Sequence, residues 1–96
     1  MTTRKRLSDR RGSVSCLFEY EGHRYSVTAS RFDDGRLAEI FLDVPGKFGT
    51  PMQANAENAA ILTSLLLQHG VNPEVIRHSV TGAIALALAK FAEGEQ

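Results

Sequence analysis

From residue 13 the chain alternates. Val14, Cys16, Phe18 and Tyr20 interleave with Ser13, Ser15, Leu17 and Glu19, a period of two that predicts a half-buried strand. Glu21-Gly22-His23-Arg24 supplies a turn, with Gly22 free to take positive φ. Tyr25, Val27 and Ala29 then alternate with Ser26, Thr28 and Ser30, which predicts a second strand. Asp33-Asp34-Gly35-Arg36 is a short hairpin signal, because Asp-Gly suits the mirror-image turns that match strand twist. Leu37 to Leu42 follows as a third strand, with Ala38, Ile40 and Leu42 on one face. The pattern is that of a three-stranded antiparallel meander.

After Thr50 the period lengthens. Thr50-Pro51-Met52-Gln53 has the form of a capping box: Thr50 accepts from an early helix N–H, Pro51 opens the helix and Gln53 reaches back. The first helix is expected from about Pro51, with a start near Asn55 as the alternative, to His69. Ala59, Leu62 and Leu66 form one stripe, widened by Ile61 and Leu65, and this stripe is expected to face the sheet. Ala56, Ala59 and Ala60 are small enough to let the helix lie close. Gly70 reads as its stop, with Val71 packing back on the last turn. Asn72-Pro73-Glu74 restarts a short helix containing Val75, Ile76 and Val80. Gly82 breaks it, and a third helix runs from Ala83 to about Ala92. Ile84, Leu88 and Phe91 share one of its faces while Leu86 points elsewhere, so this helix is either wedged in the core or offers a surface to a partner. The expected fold is α+β: a three-stranded antiparallel β-meander followed by one long and two shorter α-helices packed on one face.

Ninety-six residues, 43% hydrophobic and 23% charged, fit one globular domain. No apolar stretch is long enough for a bilayer span, and no apolar segment follows the basic N-terminus, so neither a membrane anchor nor a secretory signal is expected. One cysteine excludes an internal disulfide framework and fits the cytoplasm. The net charge of zero hides an asymmetry. Arg4, Lys5, Arg6, Arg10 and Arg11 face only Asp9 in residues 1–12, a net +4, against −4 for the rest. The expected organisation is therefore a basic arm over 1–12 and a single domain over 13–96. Such an arm is either a solvated tail or a contact to nucleic acid or an acidic protein. No aromatic is interleaved with it, so it is not a base-stacking platform.

The segment Asp43-Val44-Pro45-Gly46-Lys47-Phe48-Gly49-Thr50-Pro51 looks most like chemistry. A phosphate-binding P-loop needs glycine where Phe41 stands and Ser or Thr where Phe48 stands, so the motif fails at both ends. What remains is either an anion held by Lys47 and nearby amides or a plain chain reversal built on Pro and Gly. His23, His69 and His78 are not spaced as metal ligands. Cys16 falls on the apolar side of its strand, where a structural thiol is expected rather than a nucleophile. Asp33 and Asp34 sit where turns favour aspartate. No catalytic set and no cofactor or metal site is expected.

The middle of the chain resembles a known family. "YSVTASRFDDGRLAEIFLDVPGKFGT" followed by "ILTSLLLQHGVNPEVIRHSVTG" is similar to the TSCPD domain, found at the C-terminal end of vitamin B12-dependent (class II) ribonucleotide reductases and in short stand-alone bacterial and phage proteins. The features that carry it are Asp34-Gly35-Arg36, Glu39-Ile40-Phe41, Gly46-Lys47 with Gly49-Thr50, Ser64-Leu65 and Gln68-His69-Gly70-Val71. The Thr-Ser-Cys-Pro-Asp segment that names the family is absent, so the resemblance implies no metal or redox role here. Reductase chemistry needs several cysteines, and this chain has one. The resemblance implies a fold and an accessory role.

The expected function is thus a non-catalytic interaction module, regulatory towards a nucleotide-metabolism enzyme, that binds another protein or its own copy. The alternative is a small anti-CRISPR-like inhibitor docking on a nucleic-acid-handling complex, its arm touching nucleic acid. An enzymatic or ligand-binding use of Lys47 and its glycines ranks last. The candidate contact residues are Arg4, Lys5, Arg6, Arg10, Arg11, Lys47 and Leu86.

Overall fold

The computed structural model describes residues 13–93, so the arm expected over residues 1–12 lies outside them. Three strands, β1 (Val14–Tyr20), β2 (His23–Arg31) and β3 (Leu37–Asp43), precede three helices, α1 (Pro51–Gln68), α2 (Pro73–Ser79) and α3 (Ala83–Glu93). The sheet is antiparallel in the order β1-β2-β3, and the fold is the expected α+β meander with helices.

The first hairpin closes through Glu21 and Gly22, both at positive φ, a mirror-image turn that continues the strand twist. The second hairpin differs from expectation. Among its turn residues only Gly35 has positive φ, at 93°, and Asp34 does not. Gly35 N–H donates to Phe32 C=O and Phe32 N–H to Arg36 C=O. This is an ordinary turn closed by a left-handed glycine, and the pairing slips between Ser30 and Arg31. Asp34 instead braces the turn from its side chain, accepting from Arg36 N–H at 3.1 Å and Arg36 Nε at 2.9 Å.

The inner face of the sheet carries Phe18, Tyr25, Val27, Ala29, Ile40 and Leu42. α3 packs on it with Ile84, Ala87, Leu88 and Phe91, as its spacing predicts. Phe18 and Tyr25 stack with ring centres 5.5 Å apart. Arg31 Nη2 donates to Phe91 C=O at 2.8 Å, placing a cation on the carbonyl end of α3. Gly70 ends α1 as expected: its N–H reaches Leu67 C=O and Val71 N–H reaches Leu66 C=O. Asn72 Oδ1 caps α2 by accepting from Glu74 N–H at 2.7 Å. Within α2 the hydrogen bond from Arg77 holds the Glu74 carboxyl below its ordinary range, against an opposing effect of desolvation.

The segment between β3 and α1 is a pair of turns in series. Lys47 N–H donates to Val44 C=O and Thr50 N–H to Lys47 C=O. Gly46 (φ 84°) and Gly49 (φ 83°) hold the positive-φ corner of each, the position that a type II turn reserves for glycine.

Candidate interaction surface

α1 has a small-and-polar side and a leucine-rich side, and it is the first that faces the sheet. The buried side consists of Gln53, Ala56, Ala60, Thr63, Ser64, Leu67 and Gln68. Ala59 is partly buried against the core. Ile61, Leu62, Leu65 and Leu66, expected to face inward, are 41–61% exposed.

The reason lies in the free edge of β3. β2 occupies one side of that strand, and the backbone groups on the other side need partners. α1 runs antiparallel beside it and supplies them. Gln68 Nε2 donates to Ala38 C=O at 3.2 Å. Ser64 Oγ accepts from Ile40 N–H at 2.9 Å and donates to Ile40 C=O at 3.0 Å. Gln53 Oε1 accepts from Val44 N–H at 2.6 Å. Four helical residues advance about 6 Å and two strand residues about 6.6 Å, so the two ladders stay in step. Gln53 therefore does not complete the expected capping box: its amide turns to β3 and donates to Asp43 and Glu57 carboxylates. Thr50 still caps, accepting from Gln53 N–H at 3.3 Å. Gln68 Oε1 is the one buried side-chain polar atom without a partner among the described residues.

Satisfying this edge rotates the leucines outward. Ile61 and Leu65 then line one wall of an open groove of about 720 Å³, whose other wall is Glu39, Phe41 and Asp43 on the outer face of β3. Phe41 is half exposed. Leu62 and Leu66 extend the apolar surface around the helix. From Asn58 to Pro73 the sequence contains no Asp, Glu, Lys or Arg. This surface escaped sequence reasoning, although a signal for it existed: Gln53, Ala56, Ala60, Ser64 and Gln68 recur at helical spacing as a small-and-polar stripe.

The other candidates are scattered. Lys47 is exposed at the corner between the two turns, and its N–H and C=O are both engaged in them. Its neighbour Phe48 is 90% exposed. Leu86 stands on α3 at 36% exposure. Arg4, Lys5, Arg6, Arg10 and Arg11 lie outside the described residues. Cys16 is a free, partly buried thiol against the core. His69 Nδ1 lies 2.9 Å from Leu65 C=O, and His78 Nε2 lies 3.5 Å from Glu74. Among the described residues no group of three His, Cys, Asp or Glu is arranged to hold a metal. No helix among them is long and apolar enough to cross a membrane.

Residues 3–91 match the family model described as the TSCPD domain. A protein of Bradyrhizobium diazoefficiens named vitamin B12-dependent ribonucleotide reductase is 38% identical over 71 residues, which cover 74% of this chain and 6% of that protein. Its namesake in Agrobacterium fabrum is 38% identical over 68 residues, covering 71% of this chain and 5% of that one. The chain thus spans about a twentieth of these relatives. No solved structure matches.

Proposed function

Because the chain belongs to the TSCPD domain family, we propose that it is an accessory module for a ribonucleotide reductase, acting by contact and not by chemistry of its own. The observation that carries this reading is the outward stripe Ile61, Leu62, Leu65 and Leu66 on a helix pinned from its other side. A contiguous apolar surface of this kind is characteristic of protein contacts. It cannot be relieved by rotating α1, since rotation would strip β3 of its edge partners. The relatives support the choice of partner, because a segment of this kind forms a small part of a reductase chain there. One partly buried cysteine supports contact over reductase chemistry. The module works in the cytoplasm, where a single thiol stays reduced. The nucleic-acid-directed inhibitor reading rests on the basic arm and has no further observation in its favour.

The test is a calorimetric titration of a B12-dependent reductase, trimmed of its own TSCPD segment, with this chain. Saturable binding, with no ribonucleotide turnover by the chain alone, is expected. Absence of binding, or turnover by the isolated chain, overturns the proposal.

A further inference from the structure

We propose that in the free protein the α1 stripe is covered by a second copy of this chain, the two α1 helices packing antiparallel about a two-fold axis. The proposal rests on reading the stripe as a contact surface, and its test needs no reductase, so the two can fail separately.

Self-complementarity favours a second copy. A two-fold interface sets a patch against itself, so any charge within it meets its own like. The stripe contains none, and the charge-free run extends beyond it from Asn58 to Pro73. Antiparallel pairing about the stripe's centre sets Ile61 against Leu66 of the second copy and Leu62 against its Leu65. The nearest acid on this helix, Glu57, then falls beside the second copy's Gly70, within its charge-free run.

α1 has 18 residues, a length of about 27 Å, along which the two stripes pack outside the groove, whose lining includes Glu39, Asp43 and Glu57. The hydrogen bonds from Gln53, Ser64 and Gln68 hold the stripe in its presenting orientation before the copies meet, so little ordering is needed on association.

Sedimentation velocity and light scattering of the full chain from about 1 to 300 μM give the test. A monomer–dimer equilibrium is expected, with Leu62→Glu and Leu66→Glu each weakening it at least about tenfold. Far-UV circular dichroism of both variants should match the parent, and so should their thermal midpoints in dilute solution where the parent is monomeric, because both side chains point to water in the monomer. A parent chain that stays monomeric across this range overturns the proposal. So does a dimer that both variants leave intact.

Discussion

Ser64 is the residue on which the orientation of α1 turns. Its hydroxyl serves both backbone groups of Ile40 in a buried position. Removing it leaves an N–H and a C=O dry and unpaired, which costs more than the bonds themselves are worth. Ser64→Ala is therefore expected to lose about 2–3 kcal/mol in urea unfolding, unusual for deleting one oxygen. A loss near zero would mean that water reaches Ile40 and that the edge is not sealed. Gln53 shows the same logic. The residue suited to a capping box, yet a buried strand N–H at 2.6 Å claimed its carbonyl oxygen instead. Sequence spacing identified both residues' positions on the helix and neither one's partner, because the partner lies in another element.

At the scale of elements, the two edges of the sheet are treated differently. β3 is sheathed by α1, one of the ways proteins protect an edge from unwanted pairing. The four-residue step of the helix places Ala60 between the Ser64 and Gln53 anchors, opposite Leu42, whose backbone groups share the outward alternation of Ile40. Ala60 has only a methyl to offer. Ala60→Ser should extend the ladder and raise stability by about 1 kcal/mol, read from the urea midpoint at unchanged slope. A destabilised variant would show that the hydroxyl cannot reach Leu42. The turns tell a related story. Gly22, Gly46, Gly49 and Gly70 fall where the sequence puts them, since each marks a positive φ that any other residue resists. The Asp34-Gly35 turn was misread in type only: Asp34 keeps negative φ and contributes a side-chain bond to Arg36.

At the scale of the molecule, a core lies between the inner face of the sheet and α1 and α3, and the apolar surface of α1 lies outside it. Ile40, Leu88 and Val27 are its most enclosed large side chains. Leu88→Ala should cost about 3 kcal/mol or more. Leu62→Ala, equally apolar in sequence, should change monomer stability by less than about 0.5 kcal/mol. Comparable losses for the two in dilute solution would place Leu62 in a core and contradict the surface described here. The contrast is informative because the two leucines cannot be told apart by composition or local spacing. Both sit in helices, and both belong to an apolar stripe.

The sequence by itself determined the order of strands and helices, the inner face of the sheet, the helix stops and the family. These depend on alternation, capping and glycine conformations that act within a few residues, and on the matched segments that carry the resemblance. Only the tertiary structure decided which side of α1 looks inward. Hydrophobic burial alone favours the leucines, worth about 1.5–3 kcal/mol each when fully buried. The open edge of β3 asked instead for hydroxyl and amide groups, and leaving its backbone dry would have cost a comparable amount at every unpaired group. Gln53, Ser64 and Gln68 met that demand, and the leucines were turned outward to where a partner can cover them.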